Sequence, residues 1–561
     1  MKELFRRLAL RPRLAWEILF ASFLANLMSV ASSIYVILVL NRYIGYGFDG
    51  TLYTLTTGVL IASILGTGFA SVRGRLASAV SVLPDHELNE KTLTVFTRAR
   101  LTALYRMPTG RHQEMLTALK TVEFAYDSNN ISAILDAPFL LLFLLAIAFI
   151  HPLLAVITVL AIIATIIFTL SSMRANVPLD ERQREQGIAH RNLTLSAVAG
   201  AETVRAFLGG DFLRKAWRKQ MQAIQDLREV MENARDRSKT RLETVSMLLR
   251  VSIYFFGAML AVVGEMSVGG LIGASILSAK AMQMSTSFLQ SHLAGQKAEE
   301  ALLQLGEFHS MPLEPVSGSA VREFSGRLEL RDVGFAYSGS TGPVFESLSF
   351  TLPPGAILAV SGFNGSGKST FCKLVAGLLE PGRGHVLADG IELRQFAPDW
   401  WRRQLLYLPQ EPTFLNATIR ENITLAELEP DSPATQERLN QAVRAAALRR
   451  FLDVSRQGLD MEIAEGGRTL PVGIRRRIAL ARALMNQGRL VVFDDPTEGL
   501  DSEGCLAVYN VLNALAKVGA TIIVATVDQN ILKGATYVLD MNEKPTPTFT
   551  QVREPKAEEG A

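Results

Sequence analysis

The chain has 561 residues, of which 48% are hydrophobic and 20% charged, with a formal net charge of +3. This length is too great for one ordinary core and predicts two or three domains, while the small net charge gives no indication of a nucleic-acid-binding surface. The mean hydropathy of +0.21 indicates that part of the chain lies in membrane lipid, and the two cysteines, Cys372 and Cys505, exclude a disulfide framework.

The first predicted element is a transmembrane helix preceded by a short basic segment. The basic residues are Lys2, Arg6, Arg7, Arg11 and Arg13, and the apolar run follows at about 14–40. A secretory signal peptide would also begin with basic residues, but its apolar core is shorter, so we expect a helix that is retained. A second span is predicted at about 52–72. Because the segment after it is rich in Arg and Lys and the loop before it is not, the positive-inside rule predicts a cytoplasmic N-terminus.

Four further spans are predicted in two closely spaced pairs. They lie at about 131–150, 153–173, 245–263 and 268–284. The segments that join the pairs, about 73–130 and 174–244, are charged and rich in helix-forming residues. This composition favours helices that continue well beyond the bilayer over disordered loops. The sequence therefore predicts an α-helical six-span transmembrane domain.

Two cationic residues fall inside the last two predicted spans. Charged side chains at such depth usually face the interior of a helix bundle or an aqueous cavity. Arg250 is close enough to the end of its span to snorkel to the membrane interface instead. Lys280 lies near the middle of its span, and we hypothesise that it lines a substrate path and favours acidic cargo.

A linker separates the apolar half from a second, soluble domain. Pro312, Pro315 and the Ser317–Ser319 stretch have the composition of a linker. From Leu328 onwards, short apolar runs alternate with helical patterns, which is typical of an α/β domain with a parallel sheet.

Residues 362–369 form the pattern G-x-x-x-x-G-K-S between a strand-like apolar run and an apparent helix. In a P-loop, the glycines let the backbone curl so that successive N–H groups face phosphate oxygens. Lys368 would reach the β- and γ-phosphates, and the Ser369 hydroxyl would ligate Mg²⁺. A glycine-rich turn without a ligand is the alternative, which the flanking strand and helix disfavour. The predicted nucleotide-binding residues of this loop are Gly362, Asn364, Gly365, Ser366, Gly367, Lys368, Ser369 and Thr370.

The run Leu490–Asp494 has the Walker B arrangement, in which an apolar strand ends in a carboxylate. Such a carboxylate lies near the Mg²⁺ ion that the P-loop holds. By itself this pattern is weak evidence for a nucleotide-binding site, but together with a P-loop upstream in the same chain it is strong evidence. ATP and Mg²⁺ are therefore the expected cofactors, with Ser369 and Asp494 as candidate metal-binding residues.

The soluble half resembles the cassette of an ATP-binding cassette (ABC) exporter half-transporter. Phe335-Ala336-Tyr337 is similar to the aromatic A-loop, which implies that Tyr337 stacks on adenine. Leu408-Pro409-Gln410 is similar to the Q-loop, which implies that Gln410 contacts Mg²⁺ and the attacking water. The stretches 418–423 and 475–484 also resemble cassette segments. The resemblance implies a transmembrane domain over 1–307, a linker over 308–326, an ABC ATP-binding domain over 327–550 and a polar tail over 551–561.

Within exporters, the membrane half resembles the permease/ATPase of type I secretion systems. The resemblance rests on residues 135–139, LDAPF, on 200–206, GAETVRA, and on 267–277, SVGGLIGASIL. It implies a multi-pass protein of the bacterial inner membrane, surrounded by membrane lipid, with its ATP-binding domain in the cytoplasm. It also implies protein or peptide cargo, a periplasmic adaptor and an outer-membrane channel.

Several cassette positions depart from the family pattern. Leu-Pro-Val-Gly-Ile stands where the family signature L-S-G-G-Q belongs, so Pro471 removes a hydroxyl and an N–H, and Val472 adds bulk beside a phosphate. Asp495 stands where the catalytic Glu is usual and is one methylene shorter. A misplacement on the ångström scale can cost on the order of 10²-fold in rate. Val527 replaces the switch histidine, and residues 498–501, EGLD, replace S-A-L-D.

These departures affect different sites in a head-to-tail dimer of cassettes. Asp495 and Val527 would weaken the chain's own ATP site, whereas Pro471 and Val472 would weaken the site of its partner. We therefore expect ATP binding with slow or absent hydrolysis, in which Asp495 and Gln410 are the candidate catalytic residues. A heterodimer with a second half-transporter and a homodimer that tolerates the changes both remain open. So do export of lipid, polysaccharide or small molecules, and a regulatory membrane subunit that binds ATP without pumping.

Overall fold

The structure is a computed structural model that describes residues 2–47, 49–107, 109–319, 323–337, 340 and 342–553. The chain forms two compact units. One contains residues up to 97 together with 107–311, and the other contains 98–106 together with the residues from 312 onwards. Most of the predicted polar tail, from residue 554, lies outside the described residues.

The first unit is entirely helical in its regular elements. Its helices are α1 (Lys2–Ala9), α2 (Pro12–Leu38), α3 (Ile44–Tyr46), α4 (Asp49–Arg98), α6 (Thr109–Ala125), α7 (Ser128–Asp136), α8 (Leu140–Ile150), α9 (Pro152–Ala199), α10 (Ala201–Ala206), α11 (Gly210–Val263) and α12 (Val268–His309). A π-helical turn, Val39–Tyr43, continues α2, and a 3₁₀ turn, Ala137–Phe139, joins α7 to α8. Helix α5 (Leu101–Arg106) belongs to the second unit.

Helical segments lie where the sequence predicts the six spans. Among the described residues, five are long and apolar enough to cross a membrane: Pro12–Tyr46, Asp49–Arg98, Ser128–Ile150, Pro152–Met173 and Gly210–Val263. The sixth predicted span is the first part of α12, which is less apolar because it carries glycine and serine together with Lys280 and Gln283. A Cβ on Gly269 would lie 2.7 Å from the Ile37 carbonyl oxygen, and one on Gly273 would lie 2.4 Å from the Ile37 side chain. Small residues thus let α12 approach α2 closely, as is usual between membrane helices.

The predicted helical extensions are present in the segments that join the spans. Helices α4, α9 and α11 contain 50, 48 and 54 residues. At a rise of about 1.5 Å per residue, each is roughly 70–80 Å long, more than twice the thickness of a hydrocarbon core. These segments are therefore helices that extend past the bilayer rather than loops.

A polar cluster joins α2, α4 and α7 in the first unit. Arg73 Nη1 lies 2.5 Å from Asp136 Oδ2, and Asn26 Nδ2 donates to Asp136 Oδ1 at 3.0 Å. Both charged side chains are mostly shielded from solvent. Arg250 is exposed and Lys280 is half-buried, so their proposed roles remain hypotheses.

The second unit contains two main sheets and the helices that cover them. Its strands are β1 (Leu328–Phe335), β2 (Phe345–Leu352), β3 (Ile357–Ser361), β4 (Arg383–Ala388), β5 (Ile391–Glu392), β6 (Leu405–Leu408), β7 (Ala417–Thr418), β8 (Glu462–Ile463), β9 (Leu490–Asp494), β10 (Thr521–Ala525), β11 (Tyr537–Asp540) and β12 (Thr548–Gln551). Its further helices are α13 (Lys368–Val375), α14 (Pro398–Arg403), α15 (Ile419–Ile423), α16 (Pro433–Ala445), α17 (Arg449–Val454), α18 (Val472–Leu484), α19 (Ser502–Lys517) and α20 (Gln529–Gly534).

The six-stranded sheet fixes the position of the phosphate-binding elements. Its order is β12-β11-β3-β10-β9-β6, and all neighbours except β11 and β12 are parallel. Ala525 of β10 is paired with Val360 of β3 on one side and Asp494 of β9 on the other. Because parallel strands end at the same edge, the loop after β3 and the carboxylate of Asp494 meet there. The four-stranded antiparallel sheet has the order β2-β1-β4-β5.

Helix α5 packs within the second unit, although its sequence lies among the membrane helices. The Arg100 N–H donates to the Pro312 carbonyl, and the Arg100 guanidinium lies 2.9 Å from Glu380 Oε2. Ala99 forms an isolated bridge with Leu313. These contacts join segments that are distant in the sequence, so composition alone does not reveal them.

Candidate functional site

The loop after β3 has the backbone conformation that a phosphate cradle needs. Gly362, Gly365 and Gly367 have φ values of 153°, 81° and 109°, in the region that side chains disfavour. A Cβ on Gly367 would lie 2.5 Å from Val344 Cγ1. Helix α13 begins at Lys368, so its free N–H groups face the loop. Asn364 and Gly365 are exposed at the outside of the curl, and Thr370 is buried in the first turn of the helix.

Lys368 and Ser366 point into this loop. The Lys368 side chain is only 6% exposed, and its ammonium donates to the carbonyl oxygens of Gly362 at 2.7 Å and Phe363 at 3.3 Å. Ser366 Oγ is buried without a hydrogen-bond partner among the described residues. A buried hydroxyl without a partner is costly, and phosphate oxygens would satisfy both it and the ammonium.

Ser369, Gln410 and Asp494 converge beside the loop, as the sequence predicts. The Ser369 hydroxyl donates to Gln410 Oε1 at 3.1 Å, and Asp494 lies next to the same hydroxyl. Asp494 is 2% exposed, and its Oδ1 has no hydrogen-bond partner among the described residues. Burial raises the pKa of Asp494 to about 6, although the neighbouring Ser369 hydroxyl opposes the shift.

This oxygen set fits Mg²⁺. Magnesium typically takes one or two protein carboxylates and completes its shell with water and substrate phosphates. Asp494 supplies one carboxylate with a free oxygen, and Ser369 and Gln410 supply neutral oxygens. Among the described residues, no group of three or more His, Cys, Asp or Glu could hold a metal ion.

Gln410 and Asp495, the two candidate catalytic residues, are in direct contact. Gln410 Nε2 donates to Asp495 Oδ2 at 3.3 Å and to Glu498 Oε2 at 3.4 Å. Asp495 has a φ of 46°, and its N–H donates to the Ala525 carbonyl at 2.8 Å. Burial raises the pKa of Asp495, so its carboxylate is a better proton acceptor than an exposed one.

Glu498 and Arg476 are site residues that the sequence analysis missed. The Arg476 side chain is almost fully buried, and its Nη2 lies 2.9 Å from Glu498 Oε2. The only signal in the sequence was that residue 498 departs from the family pattern at the start of the EGLD stretch. That signal does not identify the partner of Glu498, because Arg476 lies in helix α18 and Glu498 lies in the turn after β9.

Tyr337 lies against the first turn of α13. Its hydroxyl and Thr370 Oγ1 are 3.0 Å apart, and its ring packs edge-on against Phe335 with centroids 5.0 Å apart. The side chain keeps 39% exposure. The aromatic ring is thus beside the phosphate loop with part of its surface free, and its stacking on adenine remains a prediction.

The altered positions have well-formed local structure. Pro471 has a φ of −54° and caps the N-terminus of α18 without a side-chain hydrogen bond. Val472 is exposed, and its Cγ1 lies 3.2 Å from where a Cβ on Gly499 would be. Val527 is 64% exposed and has no polar atom to offer the site.

Two family models match the chain on both sides of the linker. The model of the ABC transporter transmembrane region matches residues 15–286, and the ABC transporter model matches residues 345–498. The chain belongs to the ABC transporter family. This confirms the resemblance and the fold class that the sequence predicts, a helical exporter domain followed by an ABC ATPase domain.

Curated relatives of this ABC transporter include type I secretion exporters. The type I secretion system ATP-binding protein PrsD of Rhizobium meliloti is 27% identical over 530 residues, which cover 93% of this chain and 89% of PrsD. The toxin RTX-I translocation ATP-binding protein of Actinobacillus pleuropneumoniae is 27% identical over 366 residues, or 65% of this chain. That match spans about half of the RTX-I protein, 51% of its length.

A solved structure of a bacterial Atm1-family ABC exporter with ATP bound has the same fold as this ABC transporter. The TM-score is 0.75, and the match covers 94% of each chain at 21% sequence identity. At this identity, the likeness extends to the fold alone. The ABC ATPase domain implies nucleotide binding, whereas the consequences of the altered motifs remain predictions.

Proposed function

We propose that this ABC transporter is an ATP-dependent exporter subunit for protein or peptide cargo in a type I-like secretion system. The proposal is supported by the relatives, whose names describe type I secretion and toxin translocation, and by a match to PrsD over 93% of the chain. It further assigns the chain to the bacterial inner membrane, with the N-terminus and ATPase domain in the cytoplasm. A periplasmic adaptor and an outer-membrane channel would complete the pathway.

The nucleotide would bind at the edge of the six-stranded sheet. Lys368 would exchange its two carbonyl contacts for phosphate oxygens, and the N-terminus of α13 would face the same phosphates. Tyr337 would carry the adenine. Ser369, Gln410 and Asp494 are the residues that would hold Mg²⁺, which when bound neutralises charge on the phosphates.

Hydrolysis at this site would be slow, and the contact of Gln410 with Asp495 is the observation that carries this proposal. The shorter side chain of Asp495 is already engaged by Gln410 Nε2 at 3.3 Å. Val527 cannot donate a hydrogen bond to the γ-phosphate. ATP binding would therefore close two cassettes more readily than it would lead to turnover. A consensus partner subunit would supply a better signature segment than Leu470–Ile474.

The decisive experiment measures ATP binding and ATPase activity of the purified full chain in lipid nanodiscs. The chain alone should bind Mg-ATP and turn over slowly, and any co-purifying cassette subunit should raise turnover. Robust hydrolysis by the chain alone would refute the impaired site. Transport of a lipid or a small molecule but not of a peptide by reconstituted vesicles would refute the cargo assignment. ATP binding without transport of any of these would favour a regulatory subunit.

A further inference from the structure

Five side chains of the second unit form one connected network at the edge of the site. The Ser369 hydroxyl donates to Gln410 Oε1, and Gln410 Nε2 donates to the carboxylates of Asp495 and Glu498. Glu498 Oε2 in turn accepts from Arg476 Nη2 at 2.9 Å. The network thus leads from the P-loop, through the amide of Gln410, to helix α18.

The orientation of the Gln410 amide depends on these neighbours. The two ends of an amide have nearly the same shape, so its hydrogen-bond partners decide which end faces which way. Two carboxylate oxygens, at 3.3 and 3.4 Å, hold Nε2 on the outer side of the site. The oxygen Oε1 therefore faces Ser369, where a cation would need an oxygen ligand and not an N–H group.

A tight turn and a buried arginine set the position of Glu498. The Glu498 N–H donates to the Asp495 carbonyl at 3.3 Å, which closes a turn and brings the two acidic residues close together. Arg476 Nη1 donates to the same carbonyl at 2.5 Å, and Nη2 of the same guanidinium donates to Glu498. A planar guanidinium that holds a carbonyl and a carboxylate together fixes their relative position.

We propose that Glu498, held by Arg476, is a positioning residue that keeps the Gln410 oxygen directed at the Mg²⁺ site. This inference rests on the proposed binding of Mg-ATP. It assigns a role to two residues outside the predicted catalytic and metal-binding set. Glu498 Oε2 accepts from both Gln410 and Arg476, so the guanidinium holds the carboxylate in the place where the amide of Gln410 reaches it. Glu498 remains 57% exposed, so an ordinary surface ion pair with Arg476 is the competing explanation.

The test measures binding of a fluorescent ATP analogue to the full chain in nanodiscs, first in EDTA and then with rising MgCl₂. Glu498→Gln keeps the size of the side chain but replaces one carboxylate oxygen with a donor. We expect a rise of about three- to tenfold in the Mg²⁺ concentration that gives half of the full increase in analogue binding, as for the loss of one hydrogen bond. The affinity for the analogue in EDTA should be unchanged. Arg476→Gln should raise this Mg²⁺ concentration by a similar factor. In the double variant, the factor should be smaller than the product of the two single-variant factors.

Two further variants separate positioning from a purely structural role. Glu498→Asp retains a carboxylate and should recover part of the Mg²⁺ response. Glu462→Gln changes an exposed glutamate of β8 in the same unit and should have no effect. A Mg²⁺ titration of Glu498→Gln that superimposes on the wild type would overturn the inference, as would an equal loss of affinity in EDTA. A wild-type chain that binds no nucleotide would instead refute the proposed function, so the two failures are distinguishable.

Discussion

Asp494→Asn should stabilise the chain in the absence of nucleotide and abolish its response to Mg²⁺. Burial raises the pKa of Asp494 from the usual 3.8 to about 6. A raised acid pKa means that the charged form costs free energy in the folded state. The protonated carboxyl group is therefore the form that the folded state favours. Its contribution to stability is complete below pH 3.8 and is lost as the pH rises through about 6. At pH 8 the loss is about 3 kcal/mol at most, and an uncharged asparagine avoids it.

Thermal unfolding of the full chain in nanodiscs, followed by tryptophan fluorescence, measures this effect. We expect Asp494→Asn to unfold at a higher temperature than the wild type at pH 8, with a difference that shrinks towards pH 5. Adding Mg-ATP at about 1,000 times Kd should reverse the order, because binding then stabilises the wild type by about 4.1 kcal/mol, which exceeds the cost of the buried charge. Asp453→Asn, at an exposed position in α17, is the matched control.

Two results would refute this reasoning. If Asp494→Asn unfolded at a lower temperature than the wild type at pH 8 without nucleotide, the carboxylate would be stabilising rather than costly. If the difference were the same at pH 5 and pH 8, Asp494 would not change its charge between these values. Unchanged stabilisation of the variant by Mg-ATP would argue against Asp494 as a metal-binding residue.

Three further predictions address hydrolysis, nucleotide affinity and the membrane unit. Asp495→Glu combined with Val527→His should raise the ATPase rate in a phosphate-release assay by up to about 10²-fold, since it restores reach and a hydrogen-bond donor; an unchanged rate would place the defect elsewhere. Tyr337→Ala should weaken binding of the fluorescent ATP analogue about threefold or more, whereas Tyr337→Phe, which keeps the ring, should retain most affinity; equal losses would point to the hydroxyl instead. Asp136→Asn leaves Arg73 without its anionic partner, so it should lower stability by about 1–3 kcal/mol and reduce the yield of folded protein in membranes; wild-type yield and unfolding temperature would contradict this.

The sequence predicted the site where the chemistry is local. A P-loop needs a strand, a glycine-rich turn and a helix in direct succession, and residues 357–375 supply all three. Asp494 ends a neighbouring buried strand, and parallel pairing alone brings it to the same edge of the sheet. The convergence of Ser369, Gln410 and Asp494 follows from that arrangement.

Other features were not predictable because they depend on contacts between distant segments. Arg476 and Glu498 lie 22 residues apart, and the composition of α18 does not predict the hydrogen bond between them. The predicted third span is interrupted at Ala137–Phe139, where Pro138 lacks the N–H that a continuous helix needs. Arg100, the residue before helix α5, pairs with Glu380 of the ATPase unit, and composition cannot reveal this contact.

The signature segment and the EGLD stretch lie next to each other in the cassette. Gly499, with a φ of 68°, lies beside Val472, and a Cβ at Gly499 would approach Val472 Cγ1 to 3.2 Å. Glu498 binds Arg476 in the same helix that Val472 begins. The signature segment and the EGLD stretch therefore fit together as one surface within the cassette. We therefore expect substitutions in these two segments to have non-additive effects on stability and ATPase rate, because residues that share contacts are coupled.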